Sequence, residues 1–137
     1  MTFVHPGQVF VQQHGPPQSI EDVWRYVDFL RREARLGIEP PIVLGRIYRQ
    51  FNMPTPKLAP LDGQQGMLVN PEKGIVLIKE DDPVSRQRFT EAHELMEYLM
   101  SGKGWAARWT GRLQTKKEQL CNEGAAELLM PRQSFVP

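Results

Sequence analysis

Residues 88–100, Arg-Phe-Thr-Glu-Ala-His-Glu-Leu-Met-Glu-Tyr-Leu-Met, repeat their apolar side chains at helical intervals, yet two ionisable residues fall on the same stripe. With a rotation of about 100° per residue and His93 as origin, Glu97 falls at about 40°, Phe89 at about −40° and Met96 at about −60°. Glu94 lies beside the stripe, at about 100°, and Glu91 on the far side. A carboxylate turned toward a core is costly unless a cation, a donor network or solvent meets it. Whatever fold contains this helix has to set something polar against His93 and Glu97.

The spelling His93-Glu94-x-x-Glu97 is one substitution from His-Glu-x-x-His. In that motif two imidazoles, one turn apart, grip zinc, and the intervening glutamate is general base toward water on the metal. Taken alone, the variant also fits a solvated acidic face. A metal site needs a further ligand, and residues 115–130, closed by Pro131, form a second helix able to supply one. Of its glutamates, Glu118 shares a face with Cys121, Asn122, Ala125, Leu128 and Leu129, whereas Glu123 and Glu127 point roughly 140–180° away. Thr115-Lys116-Lys117-Glu118 is equally a capping-box spelling, so geometry leaves two readings of Glu118 open. Cys121, one turn on, reads as a thiolate ligand or as a small buried hydrophobe.

The remaining pattern is that of one α+β domain. Residues 1–18 read as an arm or short edge strand, with His5 and His14 as a metal pair or as solvated residues; the domain proper spans 19–137. Ser19 with Asp22 marks a helix start, and Ile20, Val23, Trp24, Val27 and Leu30 keep its period until Gly37. Pro40-Pro41 opens a second helix with Leu44, Ile47 and Phe51 on one face. Residues 53–62 look irregular. The runs 66–70 and 75–78, split by Pro71-Glu72-Lys73-Gly74, spell a hairpin in a small antiparallel sheet against which the helices pack. Asp82-Pro83 opens the helix that carries His93.

Composition narrows the function. Seventeen Lys and Arg against sixteen Asp and Glu leave a net charge of +1, so direct nucleic-acid binding is not expected. The one basic–aromatic cluster, Lys103, Trp105, Arg108, Trp109, Arg112, Lys116 and Lys117, reads as a solvated turn or as a contact for substrate. No apolar run approaches the roughly 20 residues of a membrane helix. The first residues show no basic and apolar leader pattern, and the single cysteine excludes an internal disulfide. A cytoplasmic protein is the expectation.

Arg88-Phe89-Thr90-Glu91-Ala92-His93-Glu94-Leu95 resembles the Arg-Phe-Thr-x-Ala-His-Glu-Leu entry of the ImmA/IrrE metallo-endopeptidases. Glu118-x-x-Cys121-Asn122-x-Gly124-Ala125-Ala126-Glu127-Leu128-Leu129-Met130-Pro131 is similar to the family's Glu-x-x-Ala-Asn-x-Phe-Ala-Ala-x-Leu-Leu-Met-Pro. The likeness covers roughly residues 40–131. It implies a zincin-like core, a divalent metal (zinc first), and hydrolysis of a protein or peptide, such as a repressor-type transcription factor under stress. It further implies that His93 and Glu118 are ligands and Glu94 the general base, which favours the ligand reading of Glu118. The second motif imidazole is Glu97 here, the third ligand by position, and the bulky aromatic of the second signature is Gly124.

A His-Glu-Glu set carries two negative charges, which weakens the ion as a Lewis acid and hardens the site toward manganese or iron(II). Two functions compete: a metallo-endopeptidase with an altered site, and a catalytically degenerate member acting as a sensing or protein-binding module. The retained Glu94 favours the first and the missing imidazole the second. The apolar runs of the hairpin offer a strand edge for an extended peptide.

Overall fold

A computed structural model describes residues 6–15, 18–39, 42–70, 74–99 and 112–132. The element order is α1 (Pro6–His14), α2 (Ile20–Glu33), α3 (Gly45–Gln50), β1 (Lys57–Ala59), β2 (Gly66–Asn70), β3 (Ile75–Lys79), α4 (Val84–Leu99) and α5 (Arg112–Leu129). Helix α2 begins where its cap spelling places it: the Ser19 hydroxyl accepts from the Asp22 amide at 3.2 Å. The return bond of a capping box goes one residue further out, from the Gln18 amide to the Asp22 carboxylate at 3.0 Å.

The hairpin forms as expected, with β2 antiparallel to β3 and Met67 opposite Leu77. Gly74, at φ +71°, takes the left-handed conformation that delivers the chain into β3. Val76 and Ile78 face inward, so β3 keeps the period-2 alternation of a half-buried strand. The sheet also holds a strand that the pattern did not announce. Lys57–Ala59 pairs in parallel with Leu77–Lys79, giving a mixed sheet of order β1-β3-β2. Only three residues long, mostly exposed and bracketed by Pro56 and Pro60, β1 has no hydrophobic alternation to reveal it.

The N-terminal reading is corrected more sharply. Residues 6–14 form a helix, neither arm nor edge strand, and Phe10 is buried against Tyr26 at 4.4 Å and Phe29 at 5.7 Å between ring centroids. Val9 packs beside Phe10 on the core, so among the described side chains of this helix adjacent apolar residues, rather than a long amphipathic stripe, make the contact. Helix α3 begins at Gly45, later than Pro40-Pro41 (which lie outside the described residues), but Leu44, Ile47 and Phe51 are buried together as their spacing requires.

The core lies between α2, α4 and α5, built on Val23, Tyr26, Val27, Leu30, Leu95, Met96, Ala125 and Leu128. Helix α4 lies with one face on the sheet and another on α5. Gly124 sits where α5 meets both α4 and α2: a Cβ there would come within 2.6 Å of Met96 Cε and 3.0 Å of Val23 Cγ1. Met96 and Val23 thus fill space that an aromatic at position 124 would occupy. No helix among the described residues is long and apolar enough to cross a membrane. Gly124→Phe is expected to cost about 1–3 kcal/mol through overpacking, and adding Met96→Ala should recover part of the loss. Urea unfolding of the three proteins checks this; equal midpoints for parent and Gly124→Phe would contradict it.

Candidate metal centre

Helices α4 and α5 pack through Ala92, Leu95 and Met96 against Leu120, Cys121, Ala125 and Leu128, all buried. That contact brings the polar ends of the two apolar stripes together. His93 Nε2 lies 3.4 Å from Glu118 Oε2 and 3.9 Å from Glu97 Oε2. One ligand atom from each of the three falls within 4.8 Å of the others. A tetrahedral ion with bonds of about 2.0 Å spaces its ligands by roughly 3.3 Å, close to the His93–Glu118 separation. Glu118 remains 45% exposed against 17% for His93, so the cluster opens toward solvent on the α5 side.

The capping-box reading of Glu118 falls away for a simple reason. Helix α5 starts at Arg112, three residues before Thr115, so Thr115 is an interior residue and no N-cap. Glu118 is left to turn its carboxylate toward His93.

Two neighbours tune this group. Asn122 Oδ1 lies 2.8 Å from His93 Nδ1, where an N–H on that nitrogen donates to the amide oxygen, and Nε2 is the ring nitrogen that faces the carboxylates. A lone pair facing two carboxylate oxygens needs a proton or a cation between them. One nitrogen and two oxygens are a donor set that a divalent ion of zinc or manganese type accepts, so the residues present fit such an ion. Lys117 places its ammonium 3.3 Å from Glu97 Oε1, whereas His93 faces Oε2.

Glu94 stands beside the three rather than among them. It is 7% exposed, and its Oε2 has no hydrogen-bond partner among the described residues. Burial is the main reason its carboxyl is pushed up to about 8; Glu97, by charge and hydrogen bond, and Glu118 raise it further, while Lys117 pulls it down. The carboxyl borders a cleft of about 450 Å³ shared with Gly66, Phe89, Thr90, His93 and Asn122. Gly66, at the start of β2, approaches α4 so closely that a Cβ would lie 2.4 Å from Thr90 Cγ2 and 3.2 Å from Glu94 Cγ. A side chain there would close the cleft over Glu94.

Other candidates fall elsewhere. Cys121 is fully buried, its thiol driven well up by burial, and lies outside the three-residue cluster. Glu123 is exposed. Glu127, although opposite Glu118 on the helix, is also buried, because α5 is covered on that side by α2: its carboxylate meets Arg31 at 3.3 Å and Arg132 at 2.7 Å. His14 lies tilted against Phe10 at the end of α1, and His5 lies outside the described residues, as do Lys103, Trp105, Arg108 and Trp109. Sequence reading assigns Asn122 no role beyond its helix face and places Lys117 in the basic–aromatic cluster, apart from the metal site. Asn122 was within reach of inference, one turn beyond Glu118 on the same face; Lys117 was masked by its place in a basic run.

A family model described as the IrrE N-terminal-like domain, a peptidase family, matches residues 51–137. The chain belongs to that family. It is also 40% identical over 75 residues to the radiation response metalloprotease IrrE of Deinococcus deserti, covering 50% of this chain. The match spans 27% of that relative's length. Membership in a metallopeptidase family implies a divalent metal, and the His-Glu-Glu cluster is the group of the described residues that could hold one.

The Glu94 shift makes a pH prediction for the chelator-treated protein. Its folded-state value, about 8, lies above the ordinary 4.5, so the folded chain holds this proton longer than the unfolded chain. The resulting stabilisation is complete below about pH 4.5 and is lost as pH rises toward about 8. Relative to Glu94→Gln, the parent's unfolding midpoint should therefore fall across that window. Parallel profiles for the two proteins would contradict the burial argument.

Proposed function

We propose that this chain is a metal-dependent endopeptidase in which His93, Glu97 and Glu118 hold a divalent ion and Glu94 is the general base. The observation that carries the reading is the meeting of these three donors from two helices, with a buried glutamate beside them on an open cleft. An ion held there supplies Lewis acidity, polarising a peptide carbonyl and making water easier to deprotonate. Glu94 takes the proton of the attacking water and returns it to the departing amine; its raised proton affinity suits both transfers. Asn122 keeps the His93 ring oriented. The sheet order leaves β3 in the centre, so the peptide-pairing edge narrows from the whole hairpin to β2, whose first residue, Gly66, borders the cleft.

Zinc is the first candidate ion, and the two oxygen donors extend the choice to manganese or iron(II). The substrate is a protein or peptide, a repressor-type regulator by analogy with the family, and the setting cytoplasmic. One observation favours the second reading, a degenerate binding module: the Lys117 ammonium satisfies part of Glu97 without any metal.

The test is metal content and hydrolysis of a quenched fluorescent peptide library by three variants. His93→Ala is expected to lose the ion. Glu94→Gln should keep it and lose about 10²–10⁴-fold in rate, the usual size of a general-base contribution. Asn122→Ala should weaken metal binding by about 10–100-fold. Full metal content in His93→Ala would remove the assignment. A metal-loaded parent no more active than Glu94→Gln would favour the binding module.

A further inference from the structure

An imidazole and a carboxylate differ as ligands in two ways: the carboxylate adds a negative charge, and it has a second oxygen. Both differences meet Lys117. Glu97 divides its oxygens, Oε2 facing His93 Nε2 at 3.9 Å and Oε1 facing Lys117 Nζ at 3.3 Å. The lysine side chain is only 12% exposed and Glu97 25%, so the pair is held largely out of water, where an ion pair is screened least. Lys116, one residue earlier, is exposed. Lys117 turns inward beside Glu118 on the first half of α5, and its charge also reaches Glu94 and Cys121.

We propose that Lys117 is a positioning residue that makes Glu97 behave as a single-donor, charge-compensated ligand, a substitute for a neutral imidazole. The proposal rests on the reading that His93, Glu97 and Glu118 hold a divalent ion. With Glu97 and Lys117 cancelling, the set His93, Glu97, Glu118 and Lys117 carries one net negative charge, as two imidazoles and one glutamate would. With Oε1 engaged by the ammonium, Glu97 offers Oε2 alone. Loss of the lysine releases Oε1 from the ammonium and leaves the Glu94 contact as the remaining restraint on Glu97. Glu97 can then turn to chelate through both oxygens, raising the coordination number and favouring ions that prefer more oxygen donors.

Cobalt(II) reads this directly, because its visible absorption is strong at four-coordinate sites and weak at higher coordination. The full chain, Lys117→Met and Lys117→Arg are each loaded with cobalt, and zinc and manganese affinities are measured by competition. Lys117→Met is expected to show a weaker, higher-coordination spectrum, and a manganese-to-zinc affinity ratio raised by about tenfold or more, the scale of outer-sphere effects. Lys117→Arg, which keeps a charged donor, should resemble the parent. Lys117→Ala repeats the test should the methionine disturb packing. A lysine-free variant that binds one cobalt with the parent's spectrum and ratio overturns the proposal while leaving the metal site intact. A parent that takes up no cobalt overturns the metal site itself, and this inference with it.

Discussion

Like charge is concentrated where α4 meets α5. Glu94, Glu97 and Glu118 share one half-buried neighbourhood, and burial and mutual repulsion together push the Glu94 carboxyl up to about 8. Carboxylates at such distances cost energy unless cations answer them. Among the described residues, Lys117 brings an ammonium to Glu97, and the His93 ring turns Nε2 toward Glu97 and Glu118. Two carboxylates and an imidazole nitrogen then converge on a region that could hold a divalent ion. The apolar packing of Leu95, Met96, Leu120, Ala125 and Leu128 maintains this arrangement, so the burial that stabilises the core also keeps the acidic residues together.

Each of the two helices is braced on its other side by a polar network. On α5, Glu127 receives Arg31 from α2 and both the backbone and side chain of Arg132, whose guanidinium also lies 3.5 Å over the Trp24 ring. On α4, Glu91 accepts from the Tyr48 hydroxyl at 2.9 Å, and Arg88 donates to the Ile42 carbonyl. Buried pairs of this kind add little net stability against an apolar alternative, but their directional bonds restrict how a helix can rotate or slide. Such restriction matters here because a ligand set tolerates little error in donor position. The glycines serve the same end, Gly124 admitting Met96 between the helices and Gly66 letting β2 come up to Glu94.

Much of this was legible in the residues. The stripe position of His93 and Glu97, and the single face shared by Glu118 and Cys121, follow from helix geometry, and the structure brings His93, Glu97 and Glu118 together. The hairpin was marked by its turn residues. What escaped had a physical reason in each case. Helix α1 is fastened by Phe10 with Val9 beside it, adjacent residues that give no helical period, and β1 is three residues of parallel pairing set among prolines. Glu127 looked solvent-facing because its burial depends on α2, a partner that no local pattern on α5 reveals. Lys117 resembled its exposed neighbours, since a charged residue's inward turn is decided by the group it meets, here Glu97 across the helix interface.

In the proposed site one imidazole and two carboxylates gather around one ion, with the Cys121 thiol left out. X-ray absorption at the zinc edge of the zinc-loaded chain tests that most directly. The expected result is a shell of nitrogen and oxygen at about 2.0–2.2 Å, with outer scattering from a single imidazole. Sulfur at about 2.3 Å, or scattering from two imidazoles, would contradict it by placing the ion on donors other than His93, Glu97 and Glu118.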